Sequence, residues 1–175
     1  MQKLFLTFFY TGLSPKAPGT VGSIAGALAA YLILVVLPPE TLFLSSILLF
    51  AGSIGVINKY EEQTGVHDDK SIVIDEVAGV WLALSMSSIT VVQFVLSVVL
   101  FRILDITKPS IIGRVDRGVK GGLGVMGDDM LAGFFAALMS AITYALLVKS
   151  GLDYEWINLQ MPFYEVPNMI EGILK

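Results

Sequence analysis

Long uncharged stretches alternate with short polar ones along this chain. They run from Ser23 to Leu37, Thr41 to Asn58, Val77 to Phe101 and Met130 to Val148. The last has the 19 residues that carry a helix across a bilayer, and lipid forces helices because backbone polar groups must be satisfied internally. The pattern predicts an all-α, polytopic membrane domain of about five hydrophobic helices. Its boundaries are marked by ordinary stop and start residues. Pro38-Pro39 ends the first long helix, and Gly65 is placed to cap the second. Two prolines and three glycines between Gly12 and Ser23 predict a shaped loop, with a regular helix from about Gly22 capped by Thr20 or Ser23. The same donors offer a phosphate a helix N-terminus.

The 25 uncharged residues from Val77 to Phe101 admit two topologies. As one helix they would hold Asp75 and Asp105 about 45 Å apart. As a hairpin turning at Ser85-Met86-Ser87-Ser88 they return both acids to one face. Lysine and arginine decide between the two, because short cytoplasmic loops carry the excess positive charge. The hairpin puts nine of the eleven on one side, against a six-to-five split for a single span. Two short arms follow, which must reach the headgroups or be sheltered by neighbours. The polar loops then meet on the cytoplasmic side. Residues 1–175 form one domain, of which 149–175 is an interfacial tail with aromatic anchors. The apolar opening from Lys3 to Leu13 is expected to be retained, since Pro18 and the short apolar core do not suit signal cleavage.

Composition agrees: 55% hydrophobic and 15% charged residues describe a chain whose solvent is lipid. Without cysteine there is no disulfide, thiolate zinc site or Cys nucleophile. No basic patch with interleaved aromatics suggests nucleic acid. Protein partners are not indicated.

Acids gather at the ends of the apolar stretches. Asp75-Glu76-Val77-Ala78-Gly79 and Asp129-Met130-Leu131-Ala132-Gly133 share the pattern Asp-x-x-Ala-Gly: a carboxylate at a helix start, then small residues that let two helices approach. Dipole compensation at helix starts is one reading of these carboxylates; the other is that Asp75, Glu76, Asp105, Asp128 and Asp129, gathered at the hydrocarbon boundary, are joined by a cation, since like charges that close would otherwise repel. An oxygen ligand set suits Mg²⁺ better than zinc. His67-Asp68-Asp69 is a second candidate ligand group, or a solvated loop. Arg102, Asp105 and Lys108, three apart, form either a charge ladder beside the acids or a plain intrahelical salt bridge. Arg114, Arg117 and Lys120 follow, suited to phosphate or to anionic headgroups. The glycines from Gly121 to Gly127 serve as a phosphate-cradling turn or only let the chain turn tightly.

The succession Gly-Leu-Ser-Pro-x-x-Pro-Gly-Thr-x-Gly-Ser at 12–23, Gly-Val-His-Asp at 65–68, Asp-Glu-x-x-Gly at 75–79, Phe-Arg-Ile-Leu-Asp-x-x-Lys-Pro at 101–109 and Asp-Arg-x-x-x-Gly-Gly-x-Gly-x-Met-x-Asp-Asp at 116–129 resembles the phosphatidylglycerophosphatase A family. The resemblance covers about residues 12–148. It implies a multi-pass enzyme of the bacterial cytoplasmic membrane that removes the terminal phosphate of phosphatidylglycerophosphate with Mg²⁺. It also implies metal ligands at Asp75, Glu76, Asp128 and Asp129 and phosphate-binding groups at Lys108, Arg117 and Thr20. The charge pattern adds Arg102 to the phosphate-binding set and Asp105 to the catalytic acids Asp75, Glu76 and Asp129. The rival readings are a small cation-binding membrane transporter and a phosphatase for another lipid phosphate.

Overall fold

A computed structural model describes residues 1–67, 69–87, 90–150, 159 and 161. Among these are seven α-helices: α1 (Gln2–Leu6), α2 (Pro18–Val36), α3 (Pro39–Thr64), α4 (Ile74–Ser85), α5 (Val91–Thr107), α6 (Ser110–Gly118) and α7 (Gly122–Lys149). Three of them, α2, α3 and α7, are long and apolar enough to cross a membrane. With α4 and α5 they make the five hydrophobic helices expected of an all-α membrane fold. The predicted hairpin is present: α4 ends at Ser85, and Thr90 opens α5 by accepting the Gln93 N–H on its hydroxyl. Ser88, part of the predicted turn, lies outside the described residues, as do Asp68 and all of the tail but Lys149, Ser150, Leu159 and Met161.

The first boundary differs from expectation. Helix α2 begins at Pro18, not near Gly22, because proline at the first helical position loses only a hydrogen bond that no helix makes there. Neither Thr20 nor Ser23 caps it: the Ser23 hydroxyl donates back to the Gly19 carbonyl inside the helix. The capping position is Ala17, in a left-handed conformation (φ 47°). Gly65 does end α3, at φ 68°, with its N–H on the Glu61 carbonyl.

Helix α4 is the centre of the structure. Its 12 residues span only about 18 Å, less than a bilayer core, and ten of them are buried. It is the short arm sheltered by neighbours. Helix α2 packs on it through Gly22 and Gly26, where an added Cβ would lie 2.6 Å from the Val73 side chain and 3.2 Å from the Val77 backbone. The Trp81 indole N–H donates to the Gly26 carbonyl at 2.9 Å. Helix α3 contributes the Ser46 hydroxyl, which donates to the Ala78 carbonyl at 2.8 Å. Leu6 of α1 is buried, and its carbonyl accepts the Val73 N–H just before α4.

The tightest crossing is with α7. A Cβ on Gly133 would lie 2.3 Å from the Gly79 carbonyl oxygen, and one on Gly79 would lie 2.6 Å from the Asp129 carbonyl oxygen. The two Asp-x-x-Ala-Gly segments therefore touch backbone to backbone at their glycines. Each aspartate stands one turn before its glycine, so the contact brings Asp75 and Asp129 side by side.

Gly133→Ala is expected to cost about 1–3 kcal/mol by overpacking this crossing. Gly52→Ala, on a face with nothing within 4 Å, is expected to leave stability unchanged. Thermal unfolding of the purified variants in detergent compares the two; equal midpoints would refute the crossing as a stability determinant.

Candidate active site

The starts of α2, α4 and α7, the end of α5 and the α3–α4 connection converge on one cavity of about 280 Å³. Pro18 and Gly19 form one wall, Asp75 and Glu76 another, Arg102, Asp105 and Lys108 a third. Asp116 and Val119 of the α6 region and Gly124, Val125, Asp128 and Asp129 of α7 complete it, with His67, Lys70 and Ile72 from the α3–α4 connection. The lining holds six carboxylates and three fixed positive charges.

Three of the acids come closest. Oxygens of Asp75, Glu76 and Asp129 all lie within 4.8 Å of one another. Asp128 and Asp129 are 4% and 3% exposed, so water does little to screen them. Glu76 Oε2 and Asp128 Oδ1 are buried with no hydrogen-bond partner in the protein. Buried carboxylate oxygens left unpaired among like charges fit a hard cation, which would supply both the missing partner and the missing charge. The donor set is all oxygen, as Mg²⁺ requires.

The basic groups are built in from α5. Arg102 Nη1 donates to Asp105 at 2.5 Å and to the Ser23 hydroxyl at 3.2 Å, and lies 3.9 Å from Glu76. Its Nη2 reaches the Thr20 hydroxyl at 3.4 Å, while its Nε is buried without a partner. An unpaired buried guanidinium N–H is a donor waiting for an anionic oxygen. Gly19 leaves room for this arrangement: a Cβ there would lie 2.2 Å from Glu76 Oε1.

Lys108 does not continue the predicted ladder. It leaves the helix at α5's end in a left-handed conformation (φ 42°), and its ammonium donates to Asp116 and Asp128, each at 2.5 Å. Burial disfavours its charge, but these two bonds outweigh burial and hold its pKa above the ordinary lysine value. Ser110, just beyond Pro109, also has positive φ (48°). Two non-glycine residues so placed beside one cleft store backbone strain, which the two ion pairs and the cramped α5–α6 turn hold in place. A Cβ on Gly113 would lie 2.4 Å from the Lys108 carbonyl oxygen.

Asp128 and Asp129 are not at a helix start. The glycine-rich segment is itself helical, and the aspartates sit two turns inside α7. Nor do its first amides form an anion cradle. The Gly122 N–H donates to Asn58 Oδ1 at 2.6 Å, and those of Gly124 and Val125 to the Gly121 carbonyl. The glycines instead permit close approach: a Cβ on Gly122 would lie 2.3 Å from the Ile54 carbonyl oxygen, and one on Gly124 2.0 Å from that of Val119.

The structure thus brings together Asp75, Glu76, Asp105, Asp128, Asp129, Arg102 and Lys108. Thr20 stands at the edge as an acceptor for Arg102. Arg117 is exposed on α6 and does not line the cavity; its guanidinium lies over Gly113 instead. Asp116 was missed as a site group, although it opens the motif at 116–129; its neighbour in space, Lys108, is eight residues away, beyond any helical spacing. In the second candidate group, Asp69 accepts from the Ser71 N–H and the Tyr60 hydroxyl, and the former chiefly holds its pKa below the usual carboxylate range. His67 lies 2.7 Å from Glu61.

An acidic cleft lined also by Arg102 and Lys108, among helices long and apolar enough to cross a membrane, defines the class: a membrane protein with a polar, charge-lined site. Residues 4–144 match the family described as Phosphatidylglycerophosphatase A. The chain is 39% identical to Phosphatidylglycerophosphatase A of Escherichia coli (strain K12) over 74% of its own length and 75% of the relative's. It is 36% identical to the protein of that name from Haemophilus influenzae, over 79% and 86%. A Bacteroides thetaiotaomicron protein described as "Putative phosphatidylinositol-3-phosphatase" is 35% identical over 78% and 89%. No solved structure matches. The chain belongs to the phosphatidylglycerophosphatase A family and is a phosphatase.

Lys108→Met strands Asp128, buried and charged, and is expected to destabilise the fold by about 1–3 kcal/mol. That is below the range for fully buried pairs because the Lys108 side chain is 30% exposed. Asp116→Asn, which keeps the Lys108–Asp128 pair, is expected to cost less than about 1 kcal/mol. Equilibrium unfolding in detergent would contradict the assignment if the order were reversed.

Proposed function

We propose that the protein hydrolyses the terminal phosphate monoester of phosphatidylglycerophosphate, giving phosphatidylglycerol and phosphate, with Mg²⁺ held by Asp75, Glu76, Asp128 and Asp129. The observation that carries this reading is the carboxylate cluster with its unpaired buried oxygens in a cavity that Arg102, whose Nε has no partner, also lines. The names of the Escherichia and Haemophilus relatives supply the substrate. Bound Mg²⁺ would neutralise phosphoryl charge and polarise the phosphorus for attack.

The chain's own residues do the rest. Arg102 donates its free Nε–H to a phosphoryl oxygen while its Nη1 stays on Asp105, which fixes the guanidinium plane. Lys108, held charged by its two carboxylates, positions Asp128 and adds positive potential. Water attacks phosphorus in line with the ester bond; the new P–O bond forms as the bond to the glycerol oxygen breaks. Asp105, beside the cluster but outside its closest trio, takes the water's proton, and the leaving alkoxide is protonated from solvent at the mouth near Lys70. The uncharged helices keep the diacylglycerol portion in the leaflet. The gathering of most lysines and arginines at the cavity end of the helices supports a site facing the cytoplasm in the bacterial inner membrane.

Phosphate release from detergent-dispersed phosphatidylglycerophosphate is expected to vanish with EDTA and return with Mg²⁺; release indifferent to EDTA would sink the metal assignment. Asp129→Asn is expected to lower kcat/KM by about 100-fold or more, in line with the several kcal/mol a catalytic metal contributes. A phosphatidylinositol 3-phosphate arm tests the substrate suggested by the Bacteroides relative's name. Acid-quenched enzyme is expected to carry no hydroxylamine-sensitive phosphate, since water rather than an aspartate attacks.

A further inference from the structure

A second hollow, of about 420 Å³, opens between α2 and α5, with walls that include Ile24, Leu28 and Tyr31 on one side and Phe94, Val95 and Val99 on the other. It exists because both helices pack on α4 rather than on each other along this length. Helix α2 holds α4 through Gly22, Gly26 and the Trp81–Gly26 hydrogen bond, and α5 holds it through Phe101 beneath Gly79. Leu28 and Val95 remain 62% and 55% exposed, so the hollow is open toward the membrane.

One side chain spans the two helices just beyond its Ile24 and Val98 end. Arg102 of α5 bridges to Ser23 and Thr20 of α2, directly before Ile24 and one turn beyond Val98 and Val99. The same guanidinium lines the acidic cavity. Polar cleft and apolar hollow therefore follow one another along α2 and α5 with Arg102 between them, in the order phosphate, then hydrocarbon, that a phospholipid presents.

We infer that this hollow receives one acyl chain of the lipid whose phosphate enters the acidic cavity, with α2 and α5 as the lateral entry from the leaflet. The inference rests on the lipid-phosphate reading above. Continuity favours a chain over a helix: the tail of a lipid whose phosphate meets Arg102 already stands at the Ile24 and Val98 end of this aliphatic and aromatic hollow. A chain lying here holds the headgroup at fixed depth and orientation against Arg102.

The test uses a non-hydrolysable phosphonate analogue of phosphatidylglycerophosphate with a diazirine on one acyl chain, photolysed with the full chain in detergent. Adducts are expected to concentrate on residues 24–31 and 94–99. Leu28→Trp combined with Val95→Trp is expected to reduce them about tenfold, while Leu48→Trp, on the exposed face of α3, leaves them unchanged. Adducts spread as densely over α3, or indifferent to the tryptophan pair, overturn the inference. Phosphate release from the natural lipid, measured in parallel, separates the two readings. Release with scattered adducts defeats the hollow alone. Concentrated adducts without release defeat the substrate assignment and uphold the hollow as an acyl-chain site.

Discussion

The contact of backbone with backbone at Gly79 and Gly133 is the constraint on which the rest of the structure depends. Two helices that meet this closely can do so only where neither carries a Cβ. Because each glycine follows an aspartate by one helical turn, the approach that packs the helices also forces Asp75 and Asp129 together. Packing and chemistry cannot be separated here. Any residue that pushes α4 from α7 also dilutes the charge cluster.

That cluster would be unstable if it stood alone. Arg102 and Lys108 offset part of the charge, and each is held by more than one partner, so neither can relax away. The offset is incomplete, and the unpaired oxygens of Glu76 and Asp128 are where the deficit shows. The strained turn at Lys108-Pro109-Ser110 belongs to the same arrangement. It costs backbone energy to carry a lysine out of α5 and back between two acids, and the ion pairs it permits offset that cost.

The membrane explains the rest of the architecture. A buried helix of 12 residues could not cross a bilayer by itself, yet at the centre of a bundle it need only be enclosed. Its acidic start stands beside the starts of α2 and α7, where one cavity gathers them. Helices α2 and α5 flank α4 and are bridged at Arg102, and beyond that bridge the hollow opens between them. A site for a phosphate that remains attached to hydrocarbon needs both environments adjoining.

Much of this was legible in the chain. The uncharged stretches gave the five hydrophobic helices, the distribution of lysine and arginine chose the hairpin, and the paired Asp-x-x-Ala-Gly segments located the crossing, because burial in lipid, loop charge and helix approach all act on local composition. The glycine-rich segment misled, since composition does not distinguish a turn that cradles an anion from a helix pressed against Ile54 and Val119. Spacing along α5 placed Lys108 in line with Asp105, but the left-handed turn sent it to Asp116 and Asp128 instead. Arg117 stands exposed on α6, off the cavity lining, although Asp116 beside it in the chain is part of that lining. The sequence by itself determined which residue types stand at the ends of which helices, because periodicity and solvent preference are local. Which of those residues share a cavity was decided only by the tertiary structure, because that depends on how closely two helix backbones approach and on where a strained turn points one side chain.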